Sequence, residues 1–271
     1  MYSLSSLKVL DLAMNQFTGS INEFHSCSLE VLSLSQNRLH GCILTTLFQQ
    51  VNLRILDLSS NSLSGVVGYD QFLKLNKSSC CIREFPNSLL ILDISDNQLQ
   101  GLVPIPPTSL IFFSTSNNQL TRNIPSQIFN ANSLKVFNLS NNTLNGSLPP
   151  CLGNFSENLS VLDLRNNIIQ GMIPIFAKVK SLSILNFNDN QLLGPLPQSL
   201  LTCKKLEVLN VENNKINGSF PNWLESLPEL QVLILRSNRF YGPVGDLTAR
   251  FPFQKLRIMD LSKNDFTGHL P

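Results

Sequence analysis

The chain has 271 residues, of which 14% are charged, and a formal net charge of +2. So slight a bias excludes any electrostatic case for nucleic acid or an anionic membrane as partner. Six cysteines without paired C-x-x-C spacing give neither a zinc site nor a clear disulfide framework, and no apolar run approaches the ~18 residues of a membrane span.

The opening, Met1-Tyr2-Ser3-Leu4, has neither the basic region nor the apolar stretch of a signal peptide. A repeat then begins at once, with Leu7, Leu10, Leu12, Asn15, Phe17, Gly19 and Ile21. Leu29, Leu32, Leu34, Asn37 and Leu53, Leu56, Leu58, Asn61 follow in register. Between Gly65 and Leu89 the register breaks. Ser78 to Pro86 resembles a repeat core with Cys80 in the asparagine position, but Lys77 stands where a leucine belongs. The expectation is one degenerate repeat near 66–88, the least protected stretch of the chain. Adjacent Cys80 and Cys81 could have a redox role or simply be buried.

Regular units resume at Leu89 and run to the end. The clearest is Leu206 to Pro221, L-E-V-L-N-V-E-N-N-K-I-N-G-S-F-P, where Leu209 and Val211 alternate with polar Asn210 and Glu212. That two-residue period predicts a strand with one buried face. One asparagine recurs in every unit: Asn15, Asn37, Asn61, Asn97, Asn118, Asn142, Asn167, Asn190, Asn214, Asn238 and Asn264. The steps are 21 to 26 residues, apart from the longer one after Asn61. Self-similarity at this period overrides the length prior and predicts a single domain over 1–271, with about eleven repeats. Neither the residues ahead of Leu7 nor Gly268-His269-Leu270-Pro271 read as a cap, so the expectation is a domain without caps, whose open ends aggregate or bind a partner.

The residue types have physical reasons. Inward leucines stack coil on coil. The asparagine sits where the chain leaves its strand, and an amide that donates and accepts can serve backbone groups of successive coils. Glycine admits positive φ at a tight bend. Leu/Ile-Pro pairs, as at Ile124-Pro125, Leu148-Pro149, Ile173-Pro174, Leu196-Pro197 and Phe220-Pro221, suggest a short second edge strand. Thr115 takes an inward position and marks a weak point.

The unit L-x-x-L-x-L-x-x-N-x-L-x-G-x-I-P resembles the plant-specific class of leucine-rich repeats. Cys151-Leu152-Gly153-Asn154-Phe155-Ser156, then Leu159 to Arg165, Phe220-Pro221-Asn222-Trp223-Leu224, Leu227 to Leu233 and Phe251 to Arg257 bring the likeness closer still to plant receptor-like proteins, surface receptors without a kinase domain. The resemblance implies an α/β repeat solenoid: a right-handed superhelix with a concave parallel β-sheet, short second edge strands and an irregular or 3-10 convex side. It implies an extracellular peptide or protein ligand, a co-receptor kinase as partner, a plasma-membrane location on the extracellular side, and defence or developmental signalling. No cofactor is expected. A soluble inhibitor of a wall-degrading enzyme such as polygalacturonase, built from similar repeats, is the alternative.

Polar strand positions line up as Asp11, Ser33, Asp57, Asp93, Ser114, Asn138, Asp163, Asn186, Asn210 and Asp260, interrupted by Ile234. Beside them Arg165, Asn188, Glu212 and Arg236 stand on four consecutive coils, with Asp189 nearby. These five are the candidate ligand contacts, since solenoids bind along the concave face and the arginine fork suits carboxylates or sulfates. The bland reading is a solvated face that keeps the sheet soluble.

Asn-x-Ser/Thr sequons occur at Asn76, Asn138, Asn141, Asn145, Asn154, Asn158 and Asn217. Asn76, Asn154, Asn158 and Asn217 are the candidate glycosylation sites, Asn154 and Asn158 first among them because they lie outside the strand. Three histidines (His25, His40, His269) form no zinc pair, and Gly242-Pro243-Val244-Gly245 lacks the ending of a phosphate loop. No catalytic constellation emerges, so an enzyme is not expected. Cys27, Cys42 and Cys203 read as buried packing thiols.

Overall fold

The structure, a computed structural model, describes residues 4–24, 28–67, 85–245 and 252–269. Each repeat supplies a three-residue strand whose middle side chain is inward: Leu32 in Val31–Ser33, Leu56 in Ile55–Asp57 and Leu209 in Val208–Asn210 are completely buried. Among the described residues eleven such strands, in chain order from Val9–Asp11 to Ile258–Asp260, form one parallel sheet. Pairing is like-on-like, Leu10 beside Leu32 and Leu32 beside Leu56, so the leucines stack into one continuous core. Truncating one of them should cost roughly 2–5 kcal/mol.

After each turn the chain forms a second short strand on the flank, in a six-stranded sheet ending at Thr143–Leu144 and a five-stranded sheet starting at Gln170–Met172. These strands lie earlier than the Leu/Ile-Pro pairs suggest. Lys215–Ser219, for instance, ends before Phe220-Pro221. The proline instead stands immediately before a 3-10 turn: Pro125, Pro149, Pro197 and Pro221 precede Ser126–Asn130, Pro150–Asn154, Gln198–Thr202 and Asn222–Ser226. A ring-fixed φ suits that entry, where the missing N–H has no partner to lose. Among the described residues, helix is otherwise confined to the single turn Thr45–Phe48.

Ile173-Pro174 opens no such turn. There the chain runs against the preceding coil, and the Ala177 and Lys178 N–H groups donate to the Gly153 carbonyl at 2.9 and 3.2 Å. A Cβ on Gly153 would lie 1.6 Å from the Ile175 carbonyl oxygen, so only glycine fits. A phenylalanine cluster fills the core nearby, with Phe129 edge-on to Phe155 at 4.8 Å and Phe137 edge-on to Phe155 at 5.7 Å.

Across the irregular step, Ile55–Asp57 pairs directly with Ile91–Asp93, and Ser62–Val67 with Gln98–Gly101. The degenerate repeat expected near 66–88 falls largely on residues 68–84, outside the described residues, with Asn76, Cys80 and Cys81. The chain rejoins the stack at Phe85, edge-on to Phe48 at 5.1 Å, and at Ser88, whose hydroxyl donates to the Leu53 carbonyl at 2.7 Å.

Cys203 is a completely buried thiol, its Sγ 3.2 Å from the Val179 carbonyl, and burial pushes its pKa up to about 11. Cys42 departs from the packing-thiol expectation. It is disulfide-bonded, to a partner outside the described residues. Its position in the flank strand Arg38–Cys42, only half-buried, gives a thiol there less reason to stay in the core.

Candidate ligand-binding face

The asparagine ladder fixes where every strand ends. The Asn214 amide donates to the Val211 and Glu212 carbonyls of its own coil at 3.1 and 3.0 Å, and to Phe187 of the preceding coil at 2.9 Å. Its oxygen accepts from the Leu192 N–H at 2.9 Å. One buried side chain thus satisfies four backbone groups on two coils. The same pattern recurs at Asn37, Asn61, Asn97, Asn118, Asn142, Asn167, Asn190, Asn238 and Asn264, whose oxygens accept from the preceding coil. Among the described residues Asn15 donates only to the Leu12 and Ala13 carbonyls of its own coil.

Just before each ladder asparagine stands a residue with positive φ, among them Asn141, Asn166, Asp189 and Asn213. Its N–H reaches across to the next coil. Asn141 donates to the Arg165 carbonyl at 2.9 Å, Asn166 to Asn188 at 3.0 Å, Asp189 to Glu212 at 2.9 Å and Asn213 to Arg236 at 3.0 Å. Arg165, Asn188, Glu212 and Arg236 are therefore held in one line, one strand spacing of about 4.8 Å apart. In the coils before them the same position holds Ser35, Ser59, Ser95, Ser116 and Ser140, and in the coil after them Ser262. Four larger polar side chains interrupt a serine row.

The neighbouring polar row is in register as well, with Asn138, Asp163, Asn186 and Asn210 side by side on adjacent strands. Most of its members cap the chain as it leaves the strand. Asp57, Asp93 and Asp260 each accept the N–H and the hydroxyl of the serine two residues on, while Asp163 accepts the Arg165 N–H at 3.1 Å and Asn210 the Glu212 N–H at 3.0 Å. The two Ser262 bonds, with Arg236 behind them, hold the Asp260 carboxyl below its ordinary pKa. Burial raises that of Asp93 against its Ser95 bonds, and the charges of Asp57 and Asp96 add to the rise.

Both arginines sit among carboxylates. Arg165 Nε lies 3.6 Å from Asp163 Oδ2, while Arg236 spans two coils, with Nε 3.4 Å from Glu212 Oε1 and Nη1 3.7 Å from Asp260 Oδ2. The buried Arg236 Nε makes no hydrogen bond among the described residues, so its contact with Glu212 is an ion pair of poor geometry. Asp189 accepts from Asn188 and Asn213, both at 2.7 Å. Two arginines thus face four carboxylates, Asp163, Asp189, Glu212 and Asp260. The patch is a mixed-charge surface with an acidic balance, a different electrostatic character from a simple trap for anions.

A third row on this face is apolar, and the repeat pattern alone does not single it out. Val136, Val161, Ile184, Val208 and Val232 pair side by side, with Phe112 before them and Ile258 after. All are half-buried or exposed, although they are apolar. The signal was present in every repeat, as the residue before the second leucine, and it reads as ordinary strand propensity until the register aligns it. The apolar row and the polar rows together form a strip on which an extended chain could place alternate side chains.

One leucine-rich-repeat family model matches residues 180–240, and a second matches 6–27, 52–70 and 133–155. The chain is similar to Receptor-like protein 53 of Arabidopsis thaliana, at 41% identity over 228 residues that cover 72% of this chain and 23% of that protein. It spans under a third of the length of the curated relatives it matches. Among solved structures, the complex of PEPR1 with AtPEP1 matches with a TM-score of 0.77 and 28% identity, over 100% of this chain and 40% of that one. The Arabidopsis receptor kinase HAESA, in complex with the peptide hormone IDA and the co-receptor SERK1, gives 0.75 and 25% over 100% and 48%.

Proposed function

Because the chain belongs to the leucine-rich-repeat family of plant receptor-like proteins, we propose that it is a ligand-recognition segment of a plant cell-surface receptor. The ligand is an extracellular peptide or protein, and it docks on the sheet face at Arg165, Asn188, Asp189, Glu212 and Arg236. One observation carries the reading. Four consecutive coils replace the serine row with Arg, Asn, Glu and Arg, held in line by backbone bonds to the coil before each. A serine row would suffice for solubility.

The mixed charge suits a partner that presents both signs, such as a peptide with a basic side chain for Glu212 or Asp189 and a carboxylate for Arg165 or Arg236. The apolar row from Val136 to Val232 supplies the uncharged part of the contact. Two structural neighbours support the reading: PEPR1 is solved with AtPEP1, and HAESA with a peptide hormone and a co-receptor. By the same likeness a co-receptor kinase is the signalling partner, at the extracellular side of the plasma membrane, in defence or development.

The test is a graft. Coils 134–264 placed into the ectodomain of a plant receptor-like protein should confer binding to a component of an extracellular peptide fraction that the recipient does not bind. A correctly folded graft with no new binding would refute the proposal.

A further inference from the structure

A cleft of about 310 Å³ opens on the flank of the solenoid, away from the sheet face, between the strand Lys215–Ser219 and its neighbours. Its walls are Pro195 on one side and Tyr241 on the other, with Pro221 and Trp223 beyond. Tyr241 is 56% exposed, unusual for so large a ring, while Trp223 is half-buried and packs in part against the core. The rim is polar, made by Asn217 and Ser219.

Asn217-Gly218-Ser219 is also a sequon. Asn217 and Ser219 are both exposed, and Ser219 lies opposite Tyr241 in the strand pairing. Gly218 between them has φ +122, and a Cβ there would lie 3.6 Å from Pro195 Cβ, so its lack of a side chain keeps the cleft open. Asn145-Gly146-Ser147 holds the same place in its own coil and Asn145 is exposed too, but its neighbours there are Asn123 and Gln170 where Asn217 has Pro195 and Tyr241. The remaining described sequons are placed differently. Asn138 accepts the Ser140 N–H on the sheet face, and Asn141 accepts from Asn166 in the turn. Asn154 and Asn158 are exposed on other parts of the coil.

We propose that Asn217 carries an N-linked glycan whose first sugar lies in this cleft, covering Tyr241 and Trp223. The inference rests on the extracellular reading above, since the transfer takes place on the secretory route. The donor is a polyprenyl-diphosphate-linked oligosaccharide. The Asn217 amide nitrogen displaces the diphosphate from the anomeric carbon of the reducing-end N-acetylglucosamine. The new C–N bond forms as the C–O bond breaks, one amide proton leaves, and polyprenyl diphosphate is released. The C–H face of the sugar then packs on the aromatic and proline faces, and its acetamide and hydroxyls meet the polar rim.

Trp223 is the single tryptophan of the chain, so its fluorescence reports on the cleft alone. The chain is secreted from plant cells behind an added signal sequence, and its glycopeptides are read by mass spectrometry. Asn217 should be occupied. If any other sequon is occupied and Asn217 empty, this inference fails while the extracellular reading stands; if every sequon is empty, both fail. Acrylamide quenching of Trp223 is then compared in glycoprotein, in protein trimmed to one N-acetylglucosamine, and in the Ser219→Ala and Asn217→Gln variants. The glycosylated and trimmed forms should be quenched about half as efficiently as the two variants, because one face of the indole is covered. Equal quenching in all four would overturn the packing.

Discussion

Asp163 engages Arg165 twice. One carboxylate oxygen accepts the Arg165 N–H at 3.1 Å, and the other lies 3.6 Å from the guanidinium Nε. The buried aspartate therefore closes the strand end and also aims the exposed side chain two residues on. The two roles separate by substitution. Asp163→Asn keeps an oxygen for the N–H and removes the charge, so stability should change by less than ~0.5 kcal/mol. Asp163→Ala loses the cap and should cost about 0.5–1.5 kcal/mol. Urea denaturation checks this, and equal losses in both variants would point to the charge instead.

Thr115 sits in a leucine position, fully buried, and its hydroxyl has no hydrogen-bond partner among the described residues. Thr115→Val keeps the shape and removes the orphaned group, so it should stabilise the fold by about 1 kcal/mol. A lower melting temperature for the variant would mean that the hydroxyl is satisfied after all.

The ladder should grade with burial. Asn214→Ala orphans the Leu192 N–H in a dry part of the stack, at ~1–3 kcal/mol. It also takes one of two donors from each of the Phe187, Val211 and Glu212 carbonyls, which keep Asn190, Asn238 and Asp189. Asn15 serves two carbonyls at an exposed position, where water can replace the amide. Denaturation midpoints should fall much further for Asn214→Ala than for Asn15→Ala, and similar falls would undercut the bridging role.

Asp93 gives a pH signature. Its folded pKa is raised, first by burial and then by Asp57 and Asp96, so the folded state binds this proton more tightly than the unfolded one. Stability from this group falls as pH rises from the unfolded to the folded pKa, and the penalty is fully present above both. Asp260, lowered, works in the opposite sense and loses stability as pH falls through its folded pKa. Asp93→Asn should therefore raise the melting temperature at neutral pH and little at strongly acid pH, in a calorimetric series. A variant shifted equally at every pH would contradict this.

The coil register was legible because it is local. A leucine period and one asparagine per unit determine which side chains face in, and those positions are buried as the pattern requires, from Leu32 to Leu235. The second strand was legible in kind but misplaced by a few residues, because proline marks the start of the 3-10 turn as readily as a strand end. Row neighbours across coils were harder to read. That Arg236 lies between Glu212 and Asp260 depends on both side-chain direction and strand register. The apolar row of Val136 to Val232 hid for the opposite reason, since a β-branched residue in a strand calls for no explanation by itself. The Cys42 disulfide was not legible, because six cysteines without a spacing motif do not single out a pair.

The central claim is that the four-coil interruption of the serine row is the ligand contact. Its most direct test is Arg165→Ser with Arg236→Ser, which restores serine at both ends of the patch, measured by ligand binding and thermal melting in the same preparation. Both side chains are a little under half exposed, at 45% and 40%, and their ion-pair distances of 3.6 and 3.4 Å are long for hydrogen bonds. Melting should stay nearly unchanged, since such pairs contribute ~0–1 kcal/mol. Binding should weaken by at least ~1.5–3 kcal/mol, the worth of a charged hydrogen bond. A double variant that melts and binds like the parent would place the ligand elsewhere on the solenoid.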